Sequence, residues 1–167
     1  KDNSSIIVNK YFETSTKNIF AIGDVIDRVQ LTPVAISEAM VFVENLKLKN
    51  KKQFDYRFVP TAVFCNPNYA CVGLNEIEAK EKFKKIKILR SKFRPLKLSM
   101  SSFTDKVFIK MIVSSIDNKV RGLHYIGEHA AEIVQGFSVA ISNGITKDQL
   151  TKTIGIHPTS AEEIVTL

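Results

Sequence analysis

Two β-rich runs joined by a turn, followed at once by a helical period, constrain this chain more than any other feature. Residues 107–113 and 120–126 are dominated by Val, Ile, Met, Leu, Phe and Tyr, and Asp117 and Asn118 lie between them. Asp and Asn supply the turn chemistry that short hairpins need, so an antiparallel pair is expected here. Residues 128–143 then place Ile133, Phe137, Ala140 and Ile141 at i, i+4, i+7 and i+8. That spacing lays them along one face of a helix, and Gly144 follows as its C-cap. A hairpin succeeded by a helix buries one sheet face under that helix, which implies an α+β layer pattern.

The remaining elements extend the pattern in both directions. Upstream, residues 61–65 and 86–93 read as strands, separated by a break at Asn66-Pro67-Asn68 and a helix over 75–83 capped by Asn75. Downstream, a short helix begins at Thr146 and a last one at Thr159. The first 50 residues have a different character. Residues 6–8 and 19–22 read as short buried strands, the second stopping at Gly23-Asp24. Thr32 and Pro33 open a helix whose apolar face continues through Ile36, Met40 and Val43 and fades near Lys47. The charged stretch that follows is poor in apolar side chains. Three parts are therefore expected: residues 1–50, a linker over 51–58, and a domain over 59–167.

Charge narrows the functional classes. Twenty-four basic and 17 acidic side chains give a net charge of +7, which attracts anions in general. The lysines are spread along the chain without interleaved aromatics, so they read as a solvated surface rather than a nucleic-acid platform. No apolar run approaches the roughly 18–20 residues that span a bilayer, and the first residues, Lys1 to Ser5, carry no signal-peptide stretch. The expectation is a cytoplasmic protein with neither nucleic acid nor membrane as partner. Cys65 and Cys71 match no redox or zinc spacing, and His124, His129 and His157 are scattered. No metal site is expected, and both thiols are expected to be buried, reduced and hydrophobic in behaviour.

Proton-transfer chemistry is concentrated near the C-terminus, in His157-Pro158-Thr159-Ser160-Ala161-Glu162-Glu163. Imidazole gives and takes protons near neutrality, and a carboxylate about one turn away can orient the ring. On the residues alone Glu162 fits two jobs. Thr159 and Glu162 also match a capping box, with Thr at the N-cap and Glu at N3. Asp24 is open in the same way. Ligands of open α/β sheets bind beyond the carboxyl ends of strands, yet an Asp there also suits a plain turn. Thr32 at a helix start presents free N–H groups to a ligand or is an ordinary cap. The chain has no G-x-G-x-x-G, P-loop or G-x-S-x-G motif of its own.

Three stretches together resemble the flavin-dependent disulfide reductases (class I pyridine nucleotide-disulfide oxidoreductases), most closely their bacterial-type glutathione reductase branch. They are residues 14–25, residues 27–36 and residues 156–163, and two further stretches, 61–74 and 131–136, resemble that family's dimerisation domain. The resemblance implies the tail of an FAD-binding α/β domain followed by a mostly antiparallel sheet flanked by helices. It implies that Asp24 binds the FAD ribityl chain and that the Thr32 backbone faces the flavin's pyrimidine edge. His157 protonates the thiolate leaving a substrate disulfide, Glu162 holds its ring, and Glu163 lies near the peptide substrate. His157-Pro158 is implied to be cis. The intact enzyme is implied to be a homodimer that uses NADPH and FAD to reduce glutathione disulfide, with His157 serving the partner's site. The family's FAD fingerprint, redox cysteine pair and NADPH domain have no counterpart here, so a C-terminal fragment, inactive alone, is expected. Met40 stands where some glutathione reductases carry a substrate-binding arginine, which keeps trypanothione reductase and dihydrolipoamide dehydrogenase types, or a purely dimerising module, as alternatives.

Overall fold

The hairpin and its helix organise the larger part of the molecule. In the computed structural model, which describes residues 4–47, 49 and 51–167, the chain divides into two units, residues 1–56 and 57–167. The opening residues 1–3, and Asn50 at the expected boundary, lie outside the described residues.

The second unit carries β1 (Thr61–Val63), β2 (Tyr69–Gly73), α2 (Glu76–Lys82), β3 (Ile86–Phe93), β4 (Val107–Ser114), β5 (Val120–Ile126), α3 (Ala130–Ser142), α4 (Lys147–Thr151) and α5 (Glu162–Thr166). The strands form one antiparallel sheet in the order β1-β2-β5-β4-β3. It is the α+β architecture expected, with the hairpin β4–β5 at its centre. Strand β2 escapes a sequence reading because Ala, Cys and Gly in Tyr69–Gly73 give little β signal; the two neighbouring strands recruit it.

Period-2 alternation decides what the sheet buries. Ile109, Met111, Leu123 and Tyr125 point to one face, where they meet Val134 and Ile141 of α3 and Ile164 and Val165 of α5. The most buried seam of α3 is Ala130, Val134, Ser138 and Ile141, with Ile133 and Phe137 flanking it half-buried. The inward face is thus rotated slightly from the one the apolar spacing suggests, because the small Ala130 and Ser138 allow closer approach. Gly144 takes the left-handed conformation that ends α3, with Ile145 N–H donating to the Ala140 carbonyl. Both expected capping boxes on short helices form, at Asn75 with Glu78 and at Thr146 with Gln149, the first by expectation of its cap alone.

His124 lies on the opposite sheet face. Its Nε2 faces the Leu74 carbonyl at 3.1 Å and must carry the proton, so Nδ1 accepts the Tyr69 hydroxyl at 2.8 Å. Burial holds the imidazole below its ordinary value of 6.5, with Lys110 across the ladder adding to the effect and Glu78 opposing it.

The first unit holds a 3-10 turn, Gly23–Ile26, and α1 (Thr32–Lys47), around a small core of Phe12, Ala21 and Ile26. Two expectations are corrected here. Residues 6–8 and 19–22 are not strands, and Ile6, Ile7, Ile19 and Phe20 are exposed. A strand needs a neighbour for its backbone groups, and among the described residues these runs have only a bridge between Glu13 and Phe20 and one bond from Ile6 N–H to the Val25 carbonyl. Ile36, Met40 and Val43 face solvent instead of the core, and α1 turns Val34, Glu38 and Asn45 inward. Buried backbone groups dictate this choice. Asn45 exchanges two hydrogen bonds with the Lys52 backbone, at 2.8 and 2.7 Å, and leaving such groups unpaired costs more than exposing aliphatic carbon. Residues 51–56, expected as linker, are bonded into this unit at Lys52 and Tyr56.

The His124 environment generates a test. The unfolded chain takes up a proton near pH 6.5 while folded His124 resists it, so acid favours unfolding through this group. Urea denaturation is expected to show stability falling as pH drops below about 6.5, and His124→Gln is expected to flatten that slope.

Candidate functional site

The C-terminal helix fixes the geometry of the acid/base candidate. Ile164 and Val165 are buried in the main core, which anchors α5 against the sheet. The preceding loop then has to close over it. Gly155 makes that possible: a Cβ there would lie 2.7 Å from the Glu162 Cβ. Only a residue without one lets the loop pass so close.

Within this loop Glu162 is the first residue of α5, not its third, and Ala161 is the N-cap with no capping side chain. The full capping box expected from Thr159 and Glu162 is therefore not made. Half of it survives, since Thr159 Oγ1 accepts the Glu162 N–H at 3.3 Å. The Glu162 carboxylate is left free to face the His157 ring instead, with Nδ1 at 3.1 and 3.2 Å from its two oxygens. The acid is mostly covered and the ring is at the surface, with side chains 21% and 71% exposed. His157-Pro158 is cis, as the resemblance implied. Glu163 is half-buried beside the pair.

The chemistry of this arrangement follows from the tautomer. A carboxylate only accepts, so Nδ1 is the protonated nitrogen of the neutral ring. Nε2 is thereby directed away from Glu162, as the atom that exchanges a proton with whatever approaches. Ile154 and Ile156 are strongly exposed on the same loop. Aliphatic side chains displayed beside an imidazole make a surface that gains from being covered.

Asp24 and Thr32 belong to the first unit, whereas His157, Glu162 and Glu163 belong to the second. Gly23 sits at φ +71° with its Cα close against Ala35, where a Cβ would come within 3.2 Å. The Asp24 side chain is exposed and its carbonyl accepts the Asp27 N–H at 3.0 Å. Thr32 begins α1 and is also exposed. The Val34 and Ala35 N–H groups are taken by the Leu31 carbonyl at 2.9 and 3.1 Å, so the backbone of Leu31 closes the helix start and the Thr32 hydroxyl is not needed as a cap. The donor set suits a flavin dinucleotide. Asp24 offers acceptors to a hydroxylated chain, and the N–H of Thr32 offers a donor to an electron-rich ring edge.

Two residues of this region gave no functional signal in the sequence. Glu38 and Tyr56 meet in a buried hydrogen bond of 2.5 Å. A lone acid on an otherwise apolar helix was the available signal. The cysteines also differ from expectation. Both are free, but Cys65 is exposed and Cys71 only half-buried, because β1 ends before Cys65 and the chain turns outward there. Among the described residues no cluster of three or more His, Cys, Asp or Glu is arranged for a metal, and no helix is long and apolar enough to cross a membrane.

The geometry of the pair can be read directly. At alkaline pH, imidazole nitrogen NMR is expected to show His157 protonated on Nδ1, and Glu162→Ala is expected to shift the proton toward Nε2.

Comparison with known proteins covers almost the whole chain. Residues 59–167 match the family described as pyridine nucleotide-disulphide oxidoreductase, dimerisation domain. Residues 1–39 match the family described as pyridine nucleotide-disulphide oxidoreductase. The chloroplastic/mitochondrial glutathione reductase of Pisum sativum is 47% identical over 163 residues, which is 98% of this chain and 30% of that protein. The glutathione reductase of Nostoc sp. is 43% identical, covering 98% of the chain and 36% of the relative. That of Burkholderia cepacia is 41% identical, with 99% and 37% covered. The chain thus spans about a third of the length of the curated relatives it matches.

Proposed function

This chain belongs to the pyridine nucleotide-disulphide oxidoreductase family, and from that premise we propose that it is part of an NADPH- and FAD-dependent glutathione-disulfide reductase. Its role is to supply the dimer interface and a proton-transfer pair. Residues 1–50 are the last part of an FAD-binding domain, 51–58 the connection, and 59–167 the interface domain. The observation that carries the reading is the bond between His157 Nδ1 and the Glu162 carboxylate, at 3.1 Å, which commits Nε2 to outside chemistry.

In thiol–disulfide exchange a cysteine thiolate attacks one sulfur of the substrate, the S–S bond breaks, and the other half leaves as a thiolate. That thiolate is itself a nucleophile and can reverse the step. A proton delivered from Nε2 of the His157 imidazolium converts it to a thiol, leaves the ring neutral and makes the exchange run forward. Glu162 accepts from Nδ1–H throughout, holding the ring's direction while its charge changes. Glu163, next in sequence, lies where it can meet the amino groups of a peptide disulfide. Asp24 and the Thr32 N–H hold FAD, which when bound passes reducing equivalents from NADPH toward the cysteine pair of the intact enzyme.

The exposure of His157, Ile154 and Ile156 supports a homodimer. A general acid works best in a site that excludes water, and in one chain this loop is open. A second copy that covers it completes the site. The isolated 167-residue chain then acts as a dimerising module without turnover, and its expected setting is the cytoplasm.

Two measurements test these statements. In the intact enzyme, His157→Gln is expected to slow disulfide reduction on the order of 10²- to 10⁴-fold while flavin reduction by NADPH keeps its wild-type rate; unchanged disulfide turnover would refute the role. Sedimentation equilibrium of the 167-residue chain is expected to give a dimer, and a monomer at every concentration would remove the shared-site reading.

A further inference from the structure

Glu38 is the most deeply buried charged side chain of the first unit, 1% exposed in the middle of α1. Removing a carboxylate from water is expensive unless donors surround it. Here each oxygen has one. Oε2 accepts the Gly23 N–H at 2.6 Å and Oε1 accepts the Tyr56 hydroxyl at 2.5 Å. The chain of contacts continues outward. Arg28 Nη1 donates to the Tyr56 oxygen at 3.1 Å, and Nη2 donates to the carbonyls of Asn9 and Val8 at 3.0 and 3.3 Å. Burial and the neighbouring Glu38 push the Tyr56 hydroxyl up to about 12, so it keeps its proton and remains the donor.

What this network holds is the turn that presents Asp24. Gly23 lies in the left-handed region at φ +71° and is wedged against Ala35. Its N–H is tied to α1 itself by Glu38, so the turn and the start of the helix are fixed relative to each other. Asp24, the next residue, and Thr32, at the beginning of the same helix, are the two groups assigned above to the flavin. We propose that Glu38 is a positioning residue for flavin binding: its buried carboxylate clamps the Gly23 backbone to α1 and so sets the spacing between the Asp24 carboxylate and the Thr32 N–H. The proposal rests on the assignment of Asp24 to FAD. Tyr56 and Arg28 are the outer supports that keep the carboxylate in place.

The essential element is an acceptor at the distance of Oε2. Glutamine keeps that reach and can accept from Gly23 N–H while its amide donates to the Tyr56 oxygen. Aspartate keeps the charge but is one methylene shorter and cannot span to Gly23. The test is made on the intact flavoenzyme, reading the flavin-to-protein ratio after gel filtration and the dissociation constant for FAD by flavin fluorescence. Glu38→Gln is expected to bind FAD within about threefold of wild type, whereas Glu38→Asp weakens it by about tenfold or more, the scale of a lost hydrogen bond to a charged group. Asp24→Ala, measured alongside, is expected to lose flavin as well. If Asp24→Ala releases FAD while Glu38→Asp retains it fully, the positioning role is overturned and the Asp24 assignment stands. If Glu38→Gln loses as much flavin as Glu38→Asp, charge or packing matters rather than the acceptor, and the proposal also falls. If Asp24→Ala binds FAD normally, the underlying assignment fails instead.

Discussion

Burial of Ile164 and Val165 is the constraint on which the candidate site depends. These two side chains enter the core made by β4, β5 and α3 and fix the register of α5. Once α5 is seated, the loop before it has little freedom. Gly155 must pass close to Glu162, and Ala161 becomes the N-cap by default. A residue without a capping group at that place leaves the first carboxylate of the helix uncommitted. Glu162 then finds the His157 ring. A proton-transfer pair on an exposed loop would ordinarily be mobile; here its carboxylate half is built into a helix whose position is set by apolar packing.

The first unit obeys the opposite logic. Its central helix exposes Ile36, Met40, Val43 and Leu46 and buries Glu38 and Asn45. Each buried polar side chain satisfies backbone that would otherwise be orphaned, at Gly23 for Glu38 and at Lys52 for Asn45. The net stabilisation from such bonds is modest, but the penalty for leaving them unmade is large. Polar demand therefore outranks the apolar stripe in setting the helix's orientation. A helix displaying an aliphatic row on its outer side also has a surface suited to further packing.

Much of the second unit was legible in the sequence. The hairpin, the long helix with its glycine cap, and the short helices opened by Asn75 and Thr146 all follow from local chemistry at the positions named. Short-range rules suffice where an element is specified by its own residues: turn formers between β-rich runs, a side-chain oxygen before a helix, a 3.6-residue period. Strand β2 was illegible because its composition is neutral and its neighbours create it. Residues 6–8 and 19–22 misled for the converse reason. They have strand composition, but a strand is a pairing and not a composition, and among the described residues they pair at a single bridge.

The sequence by itself determined the α+β order of the second unit and brought His157 and Glu162 within reach of each other, because a separation of five residues with a helix start between them needs only local geometry. It left open whether Glu162 would cap the helix or face the ring. Tertiary structure decided that, through the register of α5: apolar burial of Ile164 and Val165 starts the helix at Glu162, and a carboxylate at that first position turns to His157. Tertiary structure alone also decided that α1 faces inward with Glu38, since the demand comes from the Gly23 N–H and the Tyr56 hydroxyl, 15 and 18 residues away in sequence, and no periodicity within the helix records it.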